Sequence, residues 1–388
     1  MDTESKIKIL GKSARYDVCG SCWTDPVPRP ERPARPAARP EDFIYRAASS
    51  GRSCVRLFKV LQTNVCQNNC LYCANRRDID RPRTAFSPEE LAGLFMQLVR
   101  RRKVDGLFLS SGICGSAQAS QTRMIETVDI LRNRYGYRGY VHLKVLPGAS
   151  RAQMEEVLKL ADRTSVNLEA PNRARLARLA PEKDLTGDLV RLLVELDQLS
   201  RGSGHIPAGI TTQLVVGAAG ESDREILESC WWLYRHAALR RAYYSGFSPV
   251  TDTPLENLPA TPVVREHRLY QADWLLRFYG FDLAEIPFET EGSLPEKLDP
   301  KHAWAVKHID RFPLEVNEAT RAVLLRVPGI GPVSADRILR ARRLGRIGRL
   351  SELAKLGVAV KRARDFVLLA GRFDPTPAGS RQLDLFPQ

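Results

Sequence analysis

The chain has no apolar run approaching 18 residues, so no segment is long enough to span a bilayer as a helix. A basic-apolar-small leader is also missing, and the expectation is a cytoplasmic protein without membrane contact. Cysteine is too sparse for a disulfide scaffold: eight in 388 residues, three of them in one short cluster, which points to a reducing compartment. Acidic residues run short as well, with Asp+Glu 45 against Lys+Arg 59 and a net charge of +14. The deficit is concentrated. Residues 321–370 hold twelve basic and three acidic residues, a net of +9. Charge of that kind favours an anionic partner, nucleic acid first, over ordinary solubility charge. Hydrophobic content of 43% and charged content of 27% are those of a globular protein, long enough for one large domain and a small one.

What is present starts with Cys66, Cys70 and Cys73, spaced Cys-x3-Cys-x2-Cys directly after the apolar run Val55–Leu61. Three thiolates on one short loop can hold three corners of a cubane iron–sulfur cluster. A 4Fe–4S cluster usually takes four, so one iron keeps an open position, where chemistry can occur. A structural zinc loop is the alternative, but zinc favours paired Cys-x2-Cys and a nearby fourth ligand. The spacing, with Tyr72 before the last cysteine, resembles the signature of the radical S-adenosylmethionine (SAM) superfamily. That resemblance implies a 4Fe–4S cluster, SAM chelated at the open iron, and reductive cleavage of SAM to a 5′-deoxyadenosyl radical. It also implies an electron donor such as flavodoxin or ferredoxin.

Beyond the triad, short apolar runs alternate with helical stretches. Strand candidates are Val55–Leu61, Gly106–Ser111, Tyr140–Leu146, Ser165–Glu169, Ile210–Val216 and Ala242–Phe247. Helical stretches lie near 88–103, 120–135, 150–162, 172–199 and 222–240. Six strand–helix repeats imply parallel β/α units. Tyr140, His142 and Lys144 share one face of their strand, as do Asn167 with Glu169 and Thr211 with Gln213. Strands of a doubly wound sheet are apolar on both faces. One polar face repeated over three strands predicts instead a ligand-holding lumen, so the fold class is α/β, a partial (β/α)6 barrel. A small all-α C-terminal domain comes after it. The boundaries read 1–54 for an N-terminal segment with a Pro-rich linker, 55–295 for the barrel, 300–372 for the C-terminal domain and 373–388 for a tail. The N-terminal segment carries the pair Cys19 and Cys22 in Cys-x2-Cys spacing, with no second pair to accompany it.

The family resemblance extends over residues 55–250 and assigns cofactor positions. Ser110, Ser111 and Gly112 stand where relatives often carry Gly-Gly-Glu for the SAM amino group; the acid is absent here. Asn167 and Glu169 match the ribose position, Gly217 and Gly220 match a Gly-x-x-Gly after the fifth strand, and Tyr72 is placed near the adenine. For the substrate, His142 and Lys144 are candidates by their inward face, against a purely structural histidine. Cys114, Tyr243 and Tyr244 are candidates for hydrogen-atom donation, against an inert buried thiol and core packing.

Near the C-terminus, Val327-Pro328-Gly329-Ile330-Gly331 joins two helical patterns and resembles a helix–hairpin–helix. Its Gly329, Ile330 and Gly331 would present backbone N–H groups to a DNA phosphate, and Arg337, Arg340, Arg342 and Arg343 would sit on the second helix. Leu350–Leu356 and Val360–Leu369 around Gly357 look like a degenerate second hairpin. Iron–sulfur DNA glycosylases place four cysteines after their hairpin, whereas this triad lies about 255 residues before it. The whole chain resembles a small group of bacterial radical SAM proteins assigned to DNA modification or repair. Carriers are Arg15-Tyr16-Asp17, the Ala74-Asn75-Arg76-Arg77 after the triad, and the Gly-Ile-Gly turn. Finally, Gln382, Leu383, Leu385 and Phe386 end a Pro/Gly/Ser-rich tether and resemble the peptide by which bacterial repair proteins dock on the replication sliding clamp; folding back onto the chain's own surface is the alternative. The expectation is a nucleoid-associated enzyme that modifies or repairs a DNA base. RNA as substrate, or a non-catalytic iron–sulfur redox sensor on DNA, are the competing readings.

Overall fold

The computed structural model of the protein describes residues 1–14, 40–48, 54–203 and 206–374. The Arg15-Tyr16-Asp17 segment, Cys19, Cys22, most of the Pro-rich linker and the tail peptide lie outside the described residues. No helix among the described residues is long and apolar enough to cross a membrane. The chain forms two compact units, one of residues 1–221 with 228–262, the other of residues 222–227 with 263–388.

The first unit is built on a seven-stranded sheet: β1 (Ile44–Ala48), β2 (Cys54–Leu61), β3 (Gly106–Ser110), β4 (Tyr140–Lys144), β5 (Arg163–Ser165), β6 (Ile210–Val216) and β7 (Arg241–Gly246). Spatial order matches sequence order, with β2 to β7 parallel and β1 antiparallel at one edge. Sequential parallel strands with returning helices coil in one direction, giving the curled α/β half-barrel expected from the strand–helix alternation. Helices α1 (Thr3–Ala14), α2 (Pro88–Arg100), α3 (Ala117–Asp129), α4 (Arg151–Leu160), α5 (Arg173–Ala177), α6 (Arg191–Ser203) and α7 (Asp223–His236) accompany the strands. The start of α2 is set by chemistry: Ser87 accepts from the Glu90 N–H at 3.2 Å, Glu90 returns the bond to the Ser87 N–H at 2.9 Å, and Pro88 fills the first helical position.

Strand alternation sorts the two faces. Phe58 turns outward and stacks on Phe95 of α2 with centroids 6.5 Å apart. Lys59 turns inward, where its Nζ lies 5.1 Å from the Phe108 ring. The helical stretch near 172–199 divides into α5 and α6, and two features of the sheet also differ from the sequence reading. The antiparallel β1 is added at the edge, and β5 ends at Ser165 rather than running to Glu169. The Thr212 hydroxyl causes the second: it donates to Val166 O at 2.7 Å and accepts from the Leu168 N–H at 3.1 Å, replacing ladder bonds. Glu169 returns to β6 through its own N–H to Gln213 O at 3.0 Å, with φ of 66°.

The second unit contains α8 (Val263–Phe278), α9 (Pro300–Lys307), α10 (Arg321–Leu324), α11 (Pro332–Ala341), α12 (Leu350–Lys355) and α13 (Val360–Ala363), with a two-strand ladder of β8 (Leu314–Glu315) and β9 (Val367–Leu368). It begins upstream of the boundary at 300 drawn from sequence. Phe281 stacks edge-on against buried Trp304 at 5.5 Å, and Arg326 lies over Phe281 at 3.7 Å while pairing with Glu285 at 2.8 Å. That aromatic and ionic core ties residues 263–299 to α9 and α10.

Candidate functional site

The triad sits on the loop leaving β2, and that loop is held largely through its own backbone carbonyl and N–H groups. Arg83 supplies the anchor: its Nη1 donates to Asn64 O at 2.6 Å and Asn75 O at 3.0 Å, its Nη2 to Arg76 O at 2.6 Å and Ile79 O at 3.0 Å. On the other side the loop pairs with the one leaving β3, through Gly112 N–H to Thr63 O and Gln67 N–H to Ile113 O, both 2.8 Å. A Cβ at Gly112 would lie 2.3 Å from Val65 O, so only glycine lets the two loops meet. The Leu71 N–H reaches Leu179 O at 2.7 Å, and the Asn69 N–H reaches Glu182 at 2.9 Å.

Within this frame Cys70 is buried and Cys66 and Cys73 are half-buried, all three unbridged. Backbone N–H groups aim at two of the sulfurs, Ile113 at Cys66 (3.5 Å) and Asn75 at Cys73 (3.4 Å). Burial pushes the Cys70 thiol above its usual range and that of Cys73 up to about 12. Metal binding requires the thiolate, so ligation must displace these protons. Among the described residues no three His, Cys, Asp or Glu side chains close on a point where one ion could sit.

One cavity brings most of the candidates together. The three cysteines, Tyr72, Ser110, Ser111, Gly112, Asn167, Glu169 and Lys144 all line it. Lys183, which nothing in the sequence singled out, lines it too. Its Nζ pairs with Glu169 at 3.0 Å, the two side chains only 10% and 5% exposed. Burial pulls the Lys183 ammonium down, but Glu169 and then Cys70 outweigh it, and the group stays charged. Burial, and next to it the Glu169 charge, raise Tyr72 well above an ordinary tyrosine. Asn167 Oδ1 and Glu169 Oε2 are buried acceptors without a close hydrogen bond, although the Tyr72 hydroxyl interacts with the Glu169 carboxylate. A buried acceptor left unbonded costs about 1–3 kcal/mol, so both call for a donor from a bound molecule. A ribose hydroxyl or an ammonium is such a donor. Three thiols without a fourth, a glycine-lined wall and two unpaired acceptors fit a cluster and SAM.

The remaining candidates do not line the cavity. His142 lies deeper on β4, its ring edge-on to Phe108 at 4.5 Å and bonded to Ser165 Oγ at 2.8 Å. The Cys114 backbone is tied to Ser120 Oγ at 2.8 Å. Tyr243 accepts from Arg163 at 3.0 Å, and Tyr244 is core. Gly217 and Gly220, at φ of 95° and 70°, shape a turn whose N–H groups at Gly217 and Ala219 are held by Glu221.

Residues 60–232 match the Radical SAM superfamily model. The chain contains a radical SAM domain. Its cofactors are a 4Fe–4S cluster and SAM. The chain is 28% identical over 222 residues to the 7,8-didemethyl-8-hydroxy-5-deazariboflavin synthase of Methanosarcina mazei, covering 53% of this chain and 62% of that one. It thus spans about three fifths of that relative's length. Similar structures include the FeFe-hydrogenase maturase HydG from Carboxydothermus hydrogenoformans (17% identity, TM-score 0.44, 56% of this chain and 49% of that one). Methylornithine synthase is another (14% identity, TM-score 0.45, 56% and 60%). A cluster held here would supply the electron for reductive cleavage of SAM. The three thiols would hold it, Asn167 and Glu169 would accept hydrogen bonds from SAM, and the half-barrel wall would exclude water.

The Glu169–Lys183 pair gives a first expectation. Removing one partner of a buried pair costs about 3–5 kcal/mol because the other charge is left alone. Glu169→Ala is therefore expected to lower the melting temperature strongly and to weaken SAM affinity measured by calorimetry. Lys183→Met in the same background should restore much of the stability but not the affinity. An unchanged melting temperature in Glu169→Ala would contradict the pairing.

In the second unit the glycine turn packs against its own echo. The Ala359 N–H donates to Gly329 O at 2.9 Å, and Ser334 Oγ donates to Gly357 O at 2.8 Å. Gly329 and Gly357 lie 28 residues apart with φ of 84° and 85°. Helix α11 starts at Gly331 with no side-chain cap, leaving N–H groups at its start for an external acceptor. Below the turn, Lys301 is buried and donates to Ile330 O. Of the four arginines, Arg340 and Arg343 are exposed and Arg337 reaches Leu356 O at 3.5 Å. Arg342 is held through one nitrogen: its Nη1 donates to Ala319 O at 2.6 Å and Val316 O at 3.2 Å.

Proposed function

We propose that this radical SAM enzyme modifies or repairs a base in DNA. The observation that carries the reading is the paired turn: two glycines at positive φ in corresponding positions, each packed against the helix start of the other. This supports a tandem helix–hairpin–helix, in which Gly329, Ile330 and Gly331 offer N–H groups to a phosphate. The +9 excess of residues 321–370 supplies long-range attraction. The target nucleotide is flipped out, because a base in the stack cannot enter a half-barrel. Such contacts position without reading sequence. The decisive test is anaerobic turnover of the reconstituted protein on genomic and damaged DNA, scored by nucleoside mass spectrometry. A new or lost nucleoside supports the reading. Turnover on structured RNA alone moves the substrate to RNA, and absence of SAM cleavage leaves a redox sensor.

We also propose that Gln382, Leu383, Leu385 and Phe386 dock on the sliding clamp, raising the local concentration of enzyme at DNA. Calorimetric titration of the tail peptide against the clamp checks this. Equal heats from the native peptide and its Leu385→Ala, Phe386→Ala version would exclude it.

A further inference from the structure

One wall of the cofactor cavity comes from outside the strand–helix repeats. Ser13, in the last turn of α1, lines the cavity beside Leu61, Cys66 and Ser110. It precedes every strand of the sheet and lies outside residues 60–232, which match the family model. Helix α1 is held there at several points. Ile7, Leu10 and Ala14 are buried. At Gly11 the helix backbone lies directly against the Phe43 ring, and an added Cβ would collide with it. Lys6 donates to both carboxylate oxygens of Glu90 on α2, at 2.9 and 2.6 Å.

The last turn of α1 is tied to the triad loop through Asn64, whose Nδ2 reaches Ser13 Oγ at 3.4 Å. Asn64 is itself fixed. Its Oδ1 accepts from the Thr84 N–H at 2.9 Å, its Nδ2 donates to Pro82 O at 2.9 Å, and its carbonyl is one of the four that Arg83 holds. It stands two residues before Cys66. Ser13 is therefore at the triad end of the cavity, beside the loop leaving β2, whereas Asn167 and Glu169 follow β5, three strands across the sheet. A serine hydroxyl is one donor and two acceptor sites. Here one acceptor site faces Asn64 at the long limit of a hydrogen bond, and the hydroxyl hydrogen has no acceptor among the described residues. A donor on a cavity wall is thus open to whatever the cavity holds.

We propose that Ser13 is a cofactor-binding residue: its hydroxyl donates to the carboxylate of bound SAM, and α1 is the helix that brings it there. A cluster on three thiolates leaves one iron to be ligated from the cavity. The carboxylate is the one anionic group of SAM, so ligation draws it to the triad end, where Ser13 stands. A hydrogen bond to a charged acceptor is also stronger than one to a neutral acceptor. The N-terminal helix is then part of the cofactor site and not an appendage to the barrel, whatever substrate the enzyme takes.

Calorimetric titration of the anaerobically reconstituted full chain with SAM tests this, with iron content and melting temperature measured on the same samples. Ser13→Ala is expected to bind SAM about tenfold more weakly, as loss of one hydrogen bond to a charged group implies. Its cluster content and melting temperature should match the wild type, because the side chain lost is small and half-buried. Ser13→Thr keeps the hydroxyl and should keep the affinity. Decarboxylated SAM offers no acceptor to the hydroxyl, so wild type and Ser13→Ala should bind it equally. Equal SAM affinity in wild type and Ser13→Ala would overturn the proposal. The same loss with SAM and with its decarboxylated analogue would also overturn it, by separating Ser13 from the carboxylate. Loss of iron in Ser13→Ala would do so as well, making Ser13 a support of the triad loop through Asn64.

Discussion

Cys70→Ala is expected to leave a folded protein that retains neither a 4Fe–4S cluster nor SAM cleavage. Cys70 is the buried member of the triad, and its removal leaves two thiols for a cluster that here has three. The fold should survive because the loop does not depend on the sulfur. Arg83 grips four of its carbonyls, and the Gln67 and Leu71 N–H groups tie it to neighbouring segments. Truncating a cysteine to alanine inside that frame removes one atom, so the apo melting temperature should shift little. Iron and sulfide content after anaerobic reconstitution should fall to background, and dithionite with SAM should yield no 5′-deoxyadenosine. Full activity in Cys70→Ala, or a wild type that fills with zinc alone, would falsify the assignment. The expected loss is the whole rate, because the electron has no other route to SAM.

Much of the fold and the cofactor site is legible in the chain because it rests on local rules. Ser87-Pro88-Glu89-Glu90 announces α2, and the alternation of His142 and Lys144 with Val141 and Leu143 announces a polar concave face. The triad names its own cofactor by spacing. What stays hidden depends on contacts across the sheet. The Thr212 hydroxyl that breaks β5 is an ordinary strand residue until Val166 and Leu168 are seen beside it. Arg83 and Lys183 look like surface charges, and only the folded loop shows one grasping carbonyls and the other buried against Glu169. Arg342 illustrates a further point: a basic residue in a basic stretch reads as a phosphate contact, and only the fold shows its Nη1 also holding the Val316 and Ala319 carbonyls. Charge runs show where a partner sits, but which members face it is decided by local hydrogen bonding. Similarly, Gly217 and Gly220 match a family pattern by order, and the structure gives them a turn rather than a cavity wall.

Gly329→Ala should be among the most damaging substitutions in the second unit and should weaken duplex binding at the same time. The residue has φ of 84°, which costs a side-chain-bearing residue about 1–2 kcal/mol. The added Cβ would also stand 2.5 Å from Ala359 O and 3.2 Å from Arg362 Cβ. The backbone oxygen cannot swing aside as a flexible side chain can, so the paired turns must separate. That breaks the Ala359 N–H bond to Gly329 O and disturbs the start of α13. A destabilisation of roughly 2–4 kcal/mol is expected from strain and clash together. Gly345→Ala is the control, because nothing lies within 4 Å of its added Cβ, and it should change stability by less than about 0.5 kcal/mol. Fluorescence anisotropy with a labelled duplex, repeated over a salt series, reads the second effect. Gly329→Ala should lower affinity for all sequences alike and flatten the dependence of affinity on salt, as loss of phosphate contacts does. Arg337→Ala, which removes one charge, should flatten it by about one phosphate contact. If Gly329→Ala is destabilised but binds duplex as the wild type does, the turn is a packing device and the DNA contact must be sought on another face.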